Sequence, residues 1–359
     1  MNLIQNEEKQ RKPLILIVDD ILENLQLIGN ILVDEGYEIS MANSGKQVLR
    51  MIDKISPDLI LLDITMPDIN GFEVCQKIKE NPDKNDIPII FLTAQTNTTD
   101  IVKGFLLGGV DYITKPFAKE ELLARINTHI ELKFARELIQ REVEKSNKLL
   151  LNVLPKPIAD RLKRGETPIA DHFEEASVVF IDIVDFTIKS SGAAPERIVE
   201  VLNKIYTEFD QIAKKHGLEK IKTIGDCYMA ASGIPEPRKD FAEASANFAI
   251  EAMEKMNGFD TSDGTIINFR CGLDCGPVVA GVIGEHKFIY DVWGDTVNTA
   301  ARMQEYSELG KIQVTERFIQ NLRKTNEEIH YSYEERGEIE VKGKGMMKTF
   351  FLVNNSGTE

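Results

Sequence analysis

Residues Leu14–Met41, LILIVDDILENLQLIGNILVDEGYEISM, decide the fold of the first third of the chain. A β-branched run, LILIV, is followed by two acids, then by an amphipathic stretch from Leu22 to Asp34, then by a second extended run, EISM. The unit then repeats. Ser44 to Ile55 reads as a helix, DLILL as a strand, Phe72 to Lys79 as a helix and IPIIFL as a strand; Thr98 to Leu107, VDYI and a helix from Lys119 complete the series. Short apolar runs alternating with amphipathic helices predict an α/β fold, a doubly wound five-stranded parallel sheet buried on both faces. Such sheets place their working residues at the carboxyl ends of the strands. The polar residues of this segment sit there: Asp19 and Asp20 end the first strand, Asp63 the third and Thr93 the fourth, and Lys115 follows the fifth, just before Pro116.

Three carboxylates at one strand edge repel one another unless a divalent cation sits among them, and a hard ion such as Mg2+ suits an all-oxygen set. With the ion present, one carboxylate can act as nucleophile toward a phosphoryl group, which Lys115 would pair with and Thr93 would hydrogen-bond. The DD pair, LLDITMPDINGFE, FLTA and DYITKPF resemble the receiver domain of two-component response regulators over residues 12 to 130. The resemblance implies that Asp63 is the phospho-acceptor and that Asp19, Asp20, Asp63 and the Thr65 carbonyl hold one Mg2+. It also implies that Thr93, Tyr112 and Lys115 form the switch, and that a cognate histidine kinase or phosphotransfer protein supplies the phosphoryl group.

At 359 residues the chain suits two domains plus connecting structure, and 42% apolar content is enough for real cores. A formal charge of −15 argues against nucleic acid or an anionic membrane as partner, since both need a basic surface. Any phosphate ligand must be held locally, by metals and a few placed cations. Cys75, Cys227, Cys271 and Cys275 show neither zinc-like pairing nor disulfide density and read as reduced thiols in a cytoplasm. The N-terminus carries charges where a signal peptide needs an apolar core, and no run approaches membrane-spanning length.

After Leu122 no Gly or Pro interrupts the helical signal until Pro155. Leu132, Ala135, Ile139, Val143, Ser146, Leu150 and Val153 recur at spacings of 3, 4, 4, 3, 4 and 3, a coiled-coil seam with one stutter. As helix, the roughly 30 residues from Arg125 to Leu154 would reach ~45 Å. Pro155 and Pro157 end it, and Ile158 to Arg164 reads as a short helix, so residues 131–172 form a coiled coil and linker.

Residues 173–355 open with ASVVFIDIVDFT, an apolar strand carrying Asp182. In EKIKTIGDCYMA, Ile-Gly-Asp reads as a hairpin turn with Asp226 in it and Lys222 four residues before. Two aspartates at strand ends suit two Mg2+ or Mn2+ ions, with the Ile183 carbonyl as a further ligand. In YDVWGDTVNTAARM, residues 290–303, Asp295 reads as an N-cap, and Asn298 and Arg302, four apart, share a helix face. Asp291 lies upstream, at the end of the run from Lys287 to Tyr290. An acceptor, an amide and a fixed cation together suit a nucleotide. EVKGKGMMKTFFLV pairs two strands and offers Lys342 among glycines that permit close backbone approach.

Asp182, Lys222, Asp226, Asp291, Asn298, Arg302 and Lys342 together resemble the catalytic set of class III nucleotidyl cyclases. That family implies an α/β domain with a central mixed sheet and active sites shared across a head-to-tail homodimer. It implies that Asp182 and Asp226 hold two metals, that Lys222 and Asp291 read adenine, and that Asn298 orients the ribose. Arg302 would stabilise the pentavalent α-phosphate and Lys342 bind the terminal phosphates. Guanylate-selective members typically carry Glu and a small residue where this chain has Lys222 and Asp291, so ATP is the expected substrate and cyclic AMP and pyrophosphate the products. The other readings are a guanylate cyclase of the same fold and a nucleotide-binding scaffold without turnover. Asp274 stands where the family often has His, and Cys271 and Cys275 are expected to pack at a strand edge.

Overall fold

The computed structural model describes residues 11–94, 98–186, 194–256, 258–260, 266–284, 287–325 and 331–354. The extreme N-terminus, residues 1–10, whose charges are at odds with a signal peptide, lies outside the described residues. Two compact units are present, Met1–Ser146 and Asn147–Glu359. Among the described residues no helix is long and apolar enough to cross a membrane.

The first unit runs β1 (Leu14–Val18), α1 (Leu22–Asp34), β2 (Glu38–Ala42), α2 (Gly45–Met51), β3 (Leu59–Asp63) and α3 (Gly71–Lys79), then β4 (Ile89–Thr93), α4 (Thr98–Leu106), β5 (Asp111–Thr114) and α5 (Lys119–Leu151). The strands form the expected parallel sheet in the order β2-β1-β3-β4-β5. Side chains of β1 and β3 alternate between two cores. Leu16, Val18, Ile60 and Leu62 fill one, while Ile15, Ile17, Leu59 and Leu61 fill the other, which is why these runs are apolar at every position. Helix α2 is shorter than the Ser44–Ile55 expected: Ser44 is its N-cap, accepting from the Gln47 amide, and helical structure stops at Met51.

Helix α5 is fastened to the sheet by charge as well as by Leu122, Ile126 and Ile130. Asp58, fully buried, accepts from Lys133 at 2.9 Å, from the Leu14 amide at 2.9 Å and from Arg11 at 2.7 and 2.8 Å. Burial alone would raise this carboxyl, but the four donated hydrogen bonds outweigh it and hold Asp58 below the usual range. Leu132, Ile139 and Val143 of the seam are exposed. Two members of the region behave differently from the sequence reading. Val153 follows the end of the helix, and Leu150, with Leu154, packs into a core of the second unit instead of remaining on the seam. The short helix that follows, α6, spans Lys156–Lys163.

The second unit contains β6 (Ala170–Ile183), α7 (Pro195–His216), β7 (Glu219–Ile224), β8 (Cys227–Ser232), α8 (Phe241–Met256), β9 (Phe259–Asp260) and β10 (Ile266–Ile267). It continues with β11 (Phe269–Ile283), β12 (Ile289–Trp293), α9 (Asp295–Glu305), β13 (Ile312–Thr315), α10 (Glu316–Thr325), β14 (Tyr331–Val341) and β15 (Gly345–Asn354). Its central sheet is mixed, ordered β14-β15-β13-β11-β6-β8-β7 with β12 added on β11. The β11–β13 pair is parallel and its other ladders are antiparallel. Phe209, Phe248 and Phe318 pack on one face; Phe173, Val178 and Ala300 pack on the other. Gly272 sets the seat of α9: a Cβ there would lie 1.9 Å from the Gln304 backbone nitrogen, so only glycine lets this helix rest on β11. Cys271 and Cys275 are not at a strand edge. They lie on the inward face of the central strand β11, fully buried beside Leu273, which makes them core residues and raises both thiols through burial.

Candidate functional site

In the first unit, the ligand oxygens of Asp19, Asp20 and Asp63 all lie within 4.8 Å of one another at the carboxyl end of the sheet. Lys115 neutralises part of this charge, its Nζ 2.6 Å from Asp19 and 3.1 Å from Asp63. Asp19 is oriented further by the Ile21 amide and the Asn24 side chain, both at 2.9 Å. Burial lifts Asp63 above its ordinary value while Lys115 pulls it back, and the Thr65 amide donates to it at 3.4 Å. An all-carboxylate cluster of this size fits a hard divalent ion. Thr93 and Tyr112 line one small pocket, in which the Tyr112 ring meets Phe105 edge-on at 6.3 Å. Gly71, part of the motif LLDITMPDINGFE but given no role from it, has one here: a Cβ there would lie 2.2 Å from the Asp63 carbonyl oxygen, so glycine at the start of α3 lets that helix close on the acceptor strand.

In the second unit the seven cyclase-type residues separate into three sets. Asp182, near the end of β6, and Asp226, in the β7–β8 turn, form the first. Burial raises Asp182, its Arg270 hydrogen bond opposes the rise, and the Asp226 charge adds to it. Ile183 is the last residue of β6, after which Asp185 adopts the left-handed region at φ 60° and turns the chain away from the strand. The β7–β8 turn passes through Gly225, also left-handed, whose carbonyl accepts from the Tyr206 hydroxyl at 3.0 Å. Two oxygen donors backed by mutual repulsion fit divalent cations.

Lys222 and Asp291 form the second set, joined Nζ to Oδ2 at 2.5 Å. Asp291 does not end the run from Lys287 to Tyr290; it is the central residue of β12, paired in register with Gly281 of β11. The third set is Asn298, Arg302 and Lys342. Asp295 is not the N-cap of their helix: Gly294, at φ 141°, takes that place without a side-chain cap, and Asp295 is the first helical residue. Asn298 is exposed on α9, and Arg302 pairs with Glu305 on the next turn. Lys342 is exposed in the β14–β15 turn.

Two unforeseen residues tie the first set down. Arg270 donates to Asp182 from Nε at 3.1 Å and from a terminal nitrogen at 2.8 Å, and Gln304 donates to the same carboxylate oxygen at 3.1 Å. Arg270 is the cross-strand partner of Asp182, a relation set by the β6–β11 register. Gln304 lies on α9 two residues beyond Arg302, about 200° around the helix at 3.6 residues per turn. The face of α9 that touches Asp182 is therefore not the face that presents Arg302.

Fold and site together define a chain in which a phospho-acceptor module precedes a nucleotide-cyclase module. The family model for the adenylate and guanylate cyclase catalytic domain matches residues 169–354, and that for the response regulator receiver domain matches residues 15–127. The chain belongs to the adenylate and guanylate cyclase catalytic domain family and carries a response regulator receiver domain. An adenylate cyclase of Mycobacterium tuberculosis is 44% identical over 220 residues, covering 61% of this chain and 48% of that protein. The guanylate cyclase soluble subunit beta-2 of Rattus norvegicus is 39% identical over 241 residues, 66% of this chain and 33% of that protein. The chain thus spans about half the length, or less, of these curated relatives. Among solved structures, the guanylate cyclase domain of RhGC from Catenaria anguillulae, in complex with GTP, is similar with 38% identity and a TM-score of 0.49, covering 51% of this chain and 98% of that one.

Proposed function

We propose that this protein is an adenylate cyclase whose output is set by phosphorylation of Asp63, and that it works as a homodimer in the cytoplasm. One observation supports the shared site above others: α9 turns Gln304 toward Asp182 and presents Asn298 and Arg302 on its outer side. Within one protomer the acids and the Asn298–Arg302 face diverge, whereas a second copy can bring the missing face to each acid pair.

In this reading Asp182, Asp226 and the Ile183 carbonyl hold two Mg2+ or Mn2+ ions. Ions held there would supply Lewis acidity toward the ribose 3'-hydroxyl and offset phosphate charge. The remaining tasks fall to the chain itself. Asp291 accepts from the adenine amino group and Lys222, held against it, donates to the ring. Asn298 hydrogen-bonds the ribose so that the 3'-oxygen lies in line with the α-phosphorus. Arg302 leaves Glu305 and donates to the α-phosphate oxygens, where charge grows as pyrophosphate departs, and Lys342 binds the terminal phosphates. No side-chain base is needed: as the bond from O3' to the α-phosphorus forms and the bond to pyrophosphate breaks, the 3'-hydroxyl proton passes to water. Incubation with Mn2+ and either nucleotide tests the reading: cyclic AMP and pyrophosphate from ATP, with GTP competing weakly, are expected, and preferential turnover of GTP would contradict it.

In the receiver, Asp19, Asp20, Asp63 and the Thr65 carbonyl would hold one Mg2+. Asp63 accepts the phosphoryl group from a histidine kinase or phosphotransfer protein, Lys115 and Thr93 contact that group, and Tyr112 moves within its pocket. The change reaches the catalytic unit along α5, which joins the two in sequence. A small phosphodonor should change turnover by several-fold in the native protein, and in Asp63→Asn the ratio of rates with and without donor should be one. Equal responses in both proteins would remove the switch.

A further inference from the structure

The β14–β15 turn that carries Lys342 has little packing of its own. Val341 is buried, but residues 342–346 are all exposed, and Gly343 and Gly345 adopt left-handed φ values of 79° and 74° with nothing near the position of a Cβ. Inside the turn, the Lys344 amide donates to the Val341 carbonyl at 2.9 Å. Lys344 and Met347 line a pocket of about 300 Å3 together with Asp295 and Thr299 of α9 and with Asp274 and Arg317. Across that space the Lys344 ammonium pairs with the Asp295 carboxylate. Asp295 is the first residue of α9, where a carboxylate also favours the helix dipole, and it precedes Asn298 by three residues and Arg302 by seven.

We propose that the Lys344–Asp295 pair is a latch that fixes the Lys342 turn against the start of the helix bearing Asn298 and Arg302. Lys344 and Asp295 are positioning residues, acting on the nucleotide through Lys342; this rests on the phosphate-binding role given to Lys342 above. The pair sets the distance between the cation that receives the terminal phosphates and the groups that hold ribose and α-phosphate. Opening the latch leaves the chemistry of Arg302 intact and widens the range of positions that Lys342 samples, so it weakens capture of the triphosphate more than turnover.

The test uses the full-length chain with Asp295→Asn, Lys344→Met and Lys344→Arg. Hydrogen exchange of the backbone amides of residues 342–346 reads the latch directly, with or without activity. Faster exchange in Asp295→Asn and Lys344→Met is expected, together with a KM for ATP raised ~threefold, the scale of an exposed ion pair, and kcat within about twofold. Lys344→Arg should restore both values. Unchanged exchange, a loss confined to kcat, or no recovery in Lys344→Arg overturns the latch. If the native chain turns over no nucleotide, the catalytic reading fails, and exchange alone still decides whether the pair holds the turn.

Discussion

Replacing Arg302 with alanine is expected to lower kcat by about 10²–10³-fold, the scale seen when one preorganised donor to a developing charge is removed. The KM for ATP should change far less, because the guanidinium is assigned to the α-phosphate as charge builds there and not to the ground state. The structural side effects are small. Arg302 sits on the outer side of α9, and its present partner, Glu305, is exposed, so no buried charge is left unpaired. Thermal melting should be unchanged within error. Lysine is not expected to substitute, since a single ammonium cannot reproduce the planar fork of donors. A variant with near-native kcat would show that this cation does not serve the reacting phosphate.

Asp182→Asn is expected to cost at least about 10²-fold in kcat and to shift the metal dependence to much higher Mn2+ concentration, since one charged oxygen donor is lost from the proposed ion site. Asparagine preserves the shape of the residue and can still accept from Arg270 and Gln304, so the β6–β11 ladder and the seat of α9 remain. The native arrangement explains why this acid is costly to bury and still kept. Asp182 is only 8% exposed and its carboxyl is pushed upward by burial and by Asp226, with Arg270 offsetting part of the penalty. Divalent cations would relieve the repulsion between the two acids. A Mn2+ titration of activity in both proteins checks this, and identical half-saturation would place the ions elsewhere.

The fold was legible wherever local pattern and burial agree. Helix α1 starts and stops where its amphipathic repeat does, between the acids after β1 and the left-handed Gly36. Strands β1, β3 and β4 are continuous apolar runs because the sheet is covered on both faces. Boundaries were lost where the deciding contact is remote. Asp291 looked like the end of a run, but Val292 and Trp293 continue the strand because Ala280 and Val279 of β11 pair with them. Asp295 has the right chemistry for an N-cap, yet the bend at Gly294 places it inside the helix. The seven cyclase-type residues could be named because each stands in a recognisable short motif. Arg270, Gln304, Tyr206 and Gly272 could not, since their roles come from strand register and helix seating over long sequence separations; only the opposition of Arg270 to Asp182 could have been found, by aligning β6 and β11 in advance. The seam of α5 was visible as spacing, whereas the diversion of Leu150 into the second core was not.

The central claim is that each active site takes its acids from one protomer and its Asn298–Arg302 face from another. Mixing two inactive full-length proteins, Asp182→Asn and Arg302→Ala, tests it most directly, because a mixed dimer contains one site with both lesions and one with neither. Recovery of cyclic AMP synthesis toward about one quarter of the native rate per chain is expected, half of the dimers being mixed at equal concentrations and half of their sites intact. A mixture no more active than the sum of its separate components would contradict the account.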